Sequence, residues 1–164
     1  MIKGLHHNAY RCRDSEETRG FYEDFLGLRF VSAFEIDAGR GLHSFVEMDD
    51  GSCLAFFEAP GRPFDFKRQD SLDLHIALGV EPDVFDRMLD KARSEGNEVR
   101  GPVDHGFVRS IYMRDPNGYV VELTASTGVR QEIMDPAISK PHEALARWQA
   151  TKAGQGHPNP GTAA

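Results

Sequence analysis

The stretch His7-Asn8-Ala9-Tyr10-Arg11-Cys12-Arg13-Asp14 has an echo in the second half of the chain, His75-Ile76-Ala77-Leu78-Gly79-Val80-Glu81-Pro82-Asp83. Each puts a histidine in a segment that reads as a strand running into the start of a helix. A second echo falls later in each half. Met48-Asp49-Asp50-Gly51-Ser52-Cys53-Leu54-Ala55 parallels the run from Met113 to Glu122, with Gly51 matching Gly118. Repetition of this kind implies two copies of one supersecondary module. A ligand-type side chain at matching places implies a site built between the copies.

The first half reads outward from His7 as β-α-β-β-β. Residues 3–12 form the strand, Asp14 is a good N-cap, and Glu17 completes a capping-box pattern. Phe21, Phe25 and Leu28 recur at helical spacing, and Gly27 supplies the stop. Strands over 29–37, 42–48 and 52–59 are divided by Gly39-Arg40-Gly41 and Asp49-Asp50-Gly51, both hairpin signals. The second half repeats the order. Alternation from Leu72 to Val80 predicts a strand with one packed face. Pro82 opens a helix striped by Val84, Phe85, Met88, Leu89 and Ala92 and closed by Gly96. Strands near 97–101, 107–114 and 118–125 complete the module.

The fold class is therefore α+β, with two βαβββ modules (1–60 and 71–126) in one domain over 1–126. The linker from Pro60 to Asp70 is long enough to cross a domain or reach a partner. Residues 127–152 read as a C-terminal helical extension containing Trp148, and 153–164, rich in Gly, Pro and Ala, as a disordered tail.

With 164 residues the chain can bury a real core. The net charge of −7, with no Lys/Arg run, excludes a nucleic-acid surface. No apolar stretch is long enough to span a bilayer, and Met1-Ile2-Lys3-Gly4-Leu5 lacks the apolar core of a signal peptide. Cys12 and Cys53 form no close-spaced pair, which fits reduced thiols in a cytoplasm.

The turn Asp115-Pro116-Asn117-Gly118 fits a three-residue hairpin loop with a glycine bulge. It sets Asp115 opposite Tyr119, and so Tyr112 directly across from Glu122. The same register in the first half sets Met48 opposite Ser52, and Phe45 opposite Ala55. The repeated pair is polar in one half and apolar in the other. The metal-ligand set is then His7, His75 and Glu122, with the fourth equivalent place blank at Ala55. Two imidazoles and a carboxylate with open positions suit Fe(II), and also Mn(II) or Zn(II). His105, in the loop before the Tyr112 strand, is the best acid/base group, and His43, which shares parity with Phe45, is a weaker competitor. His6 has the wrong parity to join His7, and His142 and His157 lie in the C-terminal segment. Phe45, Phe56, Phe57, Phe64, Phe66 and Phe107 are available to line an aromatic pocket.

With the Phe21–Leu28 helix end, the two histidine strands and Asp115-Pro116-Asn117-Gly118 through Glu122-Leu123, residues 3–126 resemble the vicinal oxygen chelate superfamily. That superfamily includes glyoxalase I, fosfomycin- and bleomycin-resistance proteins and type I extradiol dioxygenases. The resemblance implies paired modules curling into a cupped, mostly antiparallel sheet around one divalent metal. The pattern is most similar to the extradiol dioxygenases, which use His, His and Glu on Fe(II), here His7, His75 and Glu122. Tyr112 matches their active-site tyrosine and His105 their second-sphere histidine. The implied activity is ring cleavage of a catechol-like aromatic by O2. Three alternatives stand beside it: a glyoxalase I-like isomerase, whose fourth ligand would occupy the place of Ala55; a fosfomycin-type thiol transferase; and a non-enzymatic aromatic-ligand-binding protein. A homodimer is expected, with Leu145 and Trp148 as an added apolar contact.

Overall fold

The structure is a computed structural model that describes residues 1–129 and 133–154. β1 (His7–Cys12) leads into α1 (Ser15–Arg19), which continues as a π-helical stretch over Gly20–Phe25. β2 (Arg29–Ile36), β3 (Gly41–Glu47) and β4 (Cys53–Glu58) complete the first module. The second comprises β5 (Ile76–Gly79), α2 (Pro82–Ser94), β6 (Val99–Asp104), β7 (Val108–Arg114) and β8 (Val120–Ser126). α3 (Pro136–Ser139) and α4 (Pro141–Gly154) follow. Apart from the end of α4, the tail expected over 153–164 lies outside the described residues.

The local chemistry explains the boundaries. The Asp14 carboxylate accepts the Glu17 N–H at 2.8 Å and caps α1, while Glu58, at the end of β4, accepts the Ser15 N–H at 2.7 Å. Two strand starts need correction: the strand read over 3–12 begins at His7, and the strand read from Leu72 begins only at Ile76. Asp70 captures the preceding residues as a turn, its carbonyl accepting from Asp73 and Leu74 and its carboxylate from the Leu72 N–H. Leu72, with 95% of its surface exposed, packs on nothing, so its place in the alternation carries no burial.

The modules form two separate four-stranded mixed sheets, ordered β1-β4-β3-β2 and β5-β8-β7-β6. In each, the first strand runs parallel to the last and the other pairings are antiparallel. The expected registers are present: Tyr112 lies across from Glu122, and Phe45 across from Ala55. One face of each sheet enters a common core containing Tyr10, Cys12, Val46, Leu54 and Phe56 from the first module and Ile111, Met113, Val121 and Leu123 from the second. The opposite faces carry His7, Phe45 and Ala55 in one module and Glu122 and Tyr112 in the other.

The Asp115–Gly118 turn joins the modules. Asn117, 1% exposed, accepts the Arg13 N–H on Oδ1 at 2.8 Å. Its Nδ2 donates to Thr18 Oγ1 and to Asp115 Oδ2, both at 3.1 Å, and its carbonyl accepts the Lys67 N–H at 2.8 Å. The buried Asp115 carboxylate also accepts from the Tyr22 hydroxyl and from the Asn117 and Tyr119 N–H groups. Burial pushes its pKa up, and these donors offset part of that cost. Gly118 has φ +93°, and a Cβ there would lie 2.4 Å from the Lys67 carbonyl oxygen. The linker therefore runs close over the turn. Asn117→Ala leaves the Arg13 N–H without its acceptor and takes one donor from the buried Asp115 carboxylate. It is expected to lower stability by about 2–4 kcal/mol in urea unfolding.

Candidate functional site

His75, Glu122, Tyr112 and His105 meet in a cleft of about 790 Å³ on the outer face of the second sheet, together with Arg100, Arg114, Ser71 and Phe107. His75 sits just before β5, and its Nδ1 is 2.5 Å from the Ser71 carbonyl oxygen. A carbonyl only accepts, so Nδ1 carries the proton. In the neutral ring Nε2 then holds a lone pair, and it faces Glu122 Oε2 at 3.0 Å. At that distance the pair is satisfied by a hydrogen bond between them or by a metal ion bound to both. The donor set fits a divalent metal, with the Ser71 carbonyl fixing the tautomer of the ligand histidine. Glu122 is 6% exposed, held on β8 between β5 and β7.

Tyr112 projects beside this pair. Its hydroxyl and His105 Nε2 share a hydrogen bond of 2.9 Å. Burial first, and then the Glu122 carboxylate, raise the Tyr112 pKa, so the phenol stays protonated and able to donate. The Arg100 guanidinium lies 4.2 Å over the Tyr112 ring and donates to Ser71 Oγ at 3.1 Å. Ser71 thus holds His75 through its carbonyl and Arg100 through its hydroxyl.

The structure does not bring His7 to this cleft. Among the described residues, no three His, Cys, Asp or Glu side chains converge at metal-binding distance. His7 lies on the outer face of the first sheet, its ring 5.9 Å from that of Phe45. His6, assigned elsewhere on strand parity, is beside it, with the two Nδ1 atoms 2.8 Å apart. His6 precedes β1, so strand alternation does not govern it. Of the phenylalanines expected in a pocket, Phe56 is in the core, Phe107 lines the cleft, and Phe45 and Phe57 lie on the His7 face. Ser71 and Arg100 were missed because the alternation from Leu72 concealed the turn that presents Ser71.

Residues 4–123 match the Glyoxalase/Bleomycin resistance protein/Dioxygenase superfamily, and the chain belongs to it. It is similar to a "Probable lactoylglutathione lyase" of Synechocystis sp., 32% identical over 73% of this chain and 92% of that one. A lactoylglutathione lyase of Neisseria meningitidis is 30% identical over 72% and 87% of the two chains. Among solved structures, a fosfomycin resistance protein of Listeria monocytogenes, crystallised with Mn(II) and sulfate, shares the fold. It has a TM-score of 0.62 and 20% identity, covering 80% of this chain and 98% of that one.

These relatives correct the expected activity. An extradiol dioxygenase is not what the chain resembles along its length. Biphenyl-2,3-diol 1,2-dioxygenase 3 of Rhodococcus globerulus is 49% identical, but over 25% of this chain and 21% of that enzyme. A His-His-Glu set serves several reactions, so the ligand pattern is no guide among them. The chain is an enzyme-family member of glyoxalase kind, and no described helix is long and apolar enough to cross a membrane.

Glu122→Ala is expected to abolish most binding of divalent metal while leaving the circular dichroism spectrum unchanged. Full metal occupancy of the variant by elemental analysis would remove Glu122 from the ligand set.

Proposed function

We propose that the protein is a metal-dependent isomerase of the glyoxalase I kind. Its substrate is the hemithioacetal of a 2-oxoaldehyde and a thiol, which it converts to a 2-hydroxy thioester. The reading is carried by the His75–Glu122 pair in its cleft, in a chain whose relatives across both modules are named for this reaction. His7, His75 and Glu122 would hold a divalent metal, which would supply Lewis-acid polarisation of the substrate. Mn(II), Zn(II) and Fe(II) all suit that donor set. Tyr112, protonated and aimed beside Glu122, donates to the oxygen on which charge develops. His105, bonded to the Tyr112 hydroxyl, relays the hydroxyl proton between the two oxygens. Arg100 over the ring holds Tyr112 in place.

A working site needs a second copy of the chain. The buried Asp115–Asn117 clasp fixes the modules core to core, with His7 and the His75–Glu122 cleft on separate outer faces. β1 and β5 are both edge strands, carrying or adjoining His7 and His75. Edge pairing of β1 with β5 of a two-fold partner brings the partner's His7 to this cleft and this chain's His7 to the partner's, making two equivalent sites.

After loading with each metal in turn, thioester formation from a methylglyoxal or phenylglyoxal hemithioacetal is the expected activity. Oxygen uptake with a catechol, and no thioester from any hemithioacetal, would overturn the reading. The shared site has its own test. His7→Ala and Glu122→Ala homodimers are each expected to be inactive. Mixed and refolded together, they regain about a quarter of wild-type activity, because half the dimers are mixed and each mixed dimer has one intact site. No recovery would place all three ligands within one chain.

A further inference from the structure

We propose that His43, on the module that carries His7, is the base that moves the carbon-bound proton; this deepens the isomerase reading and rests on it. His43 lies on β3, paired with Phe57 on β4 and Phe34 on β2. Its ring lies parallel to that of Phe57 at 3.8 Å, with Phe45 at 4.3 Å and Phe34 at 5.4 Å. Phe45 in turn contacts His7, so all of these rings share the outer face. Histidine 8% exposed in such company needs a reason. In the second module the matching residue, from the shared register with Thr124 and Phe57, is Ser110, so the repeat does not require an imidazole there.

The chemistry of the ring is defined. Nδ1 lies 3.1 Å from the Phe56 carbonyl oxygen, which only accepts, so Nδ1 carries the proton and Nε2 is the free base. Nε2 has no hydrogen-bond partner among the described residues. It is also not sealed, since among the described residues the buried side-chain N and O atoms without partners are Arg11 Nε and Gln69 Oε1. His43 is one strand across and two residues along from Ala55, about 8 Å between Cα atoms. Ala55 is the counterpart of Glu122, so His43 borders the corner where the first module offers no carboxylate. Of the other titratable groups on this face, His7 is given to the metal and holds His6 through their Nδ1 atoms at 2.8 Å, Glu47 pairs with Arg29, Cys53 turns its Sγ toward the Gly51 carbonyl, and Arg11 does not release its proton at ordinary pH.

In the shared site, His43 Nε2 accepts the proton from the carbon bearing the thiol sulfur and the hydroxyl. The C–H electron pair becomes the bond to the neighbouring carbonyl carbon, whose oxygen takes the charge beside Tyr112. The hydroxyl proton passes between the two oxygens through Tyr112 and His105. The proton on Nε2 then returns to the second carbon as the first becomes the thioester carbonyl. Every proton is returned and no oxidant or reductant is consumed.

The experiment compares kcat, KM, bound metal and sedimentation for the metal-loaded wild-type dimer and for His43→Gln, His43→Phe and His43→Ala. Phe keeps the ring stack and removes the nitrogen. The expected result is a kcat lower by about a hundredfold or more in all three. KM, metal content and dimerisation should stay within about threefold of wild type. Added imidazole should restore turnover to His43→Ala and not to His43→Phe. Wild-type kcat in His43→Phe would overturn the assignment alone. Loss of metal or dimer along with activity, without imidazole rescue, would also overturn it, since the ring would then serve only the fold. A wild-type protein that turns over no hemithioacetal with any metal overturns the isomerase reading and this assignment together.

Discussion

Everything about this molecule's chemistry depends on how two buried polar residues in one hairpin turn are satisfied. Asp115 and Asn117 bond each other, the first module's helix start and the incoming linker. Buried carboxylates and amides of this kind are costly unless every partner is in place, so the clasp has one geometry. The turn closes the β7–β8 hairpin and sets Tyr112 against Glu122, and the same atoms dock the second module on the first. The local register of the site and the global relation of the modules are therefore one constraint.

That constraint decides which surfaces are left over. The inward faces meet in a shared core where Tyr10 packs on Tyr119 at 4.8 Å and Tyr22 reaches Asp115. The outward faces, one aromatic and one charged, have no packing partner among the described residues. An aromatic face beside free edge strands is an unusual surface for a chain to leave to water, and in the proposed dimer it would meet the charged face of a second copy. In that proposed arrangement the two walls would divide the work. One wall supplies a protonated phenol, a carboxylate and arginines; the other supplies aromatic surface and imidazoles.

Much of this was legible in the sequence because turn chemistry fixes register. Gly51 and Gly118 each take a positive φ at the end of a tight loop, and from that alone Phe45–Ala55 and Tyr112–Glu122 follow as opposed pairs. The βαβββ order follows from the same local rules, whereas the hydrogen bond between His105 and Tyr112 emerges only in the fold. Other features were not legible, for physical reasons. Alternation at Leu72 and Leu74 looks like a strand, but an Asx turn at Asp70 competes for the same backbone and prevails. The separation of His7 from His75 depends on a clasp between residues far apart in sequence, and no periodicity reports that.

The reaction was the least legible, since the same ligands admit several substrates and the difference lies in what surrounds them. The blank at Ala55 shows why. In a symmetric repeat a carboxylate there would mirror Glu122 and close the metal's fourth corner. The alanine, 0% exposed, leaves that corner to a small side chain packed under its neighbours. In the proposed site, that gap would leave room for substrate on the first module's side. Selection among such reactions then falls to the residues bordering the gap, Phe45 across the ladder and His43 beyond it. The duplicated pair is asymmetric, Tyr112–Glu122 against Phe45–Ala55, and under the proposed function that asymmetry, more than the ligands, would set specificity.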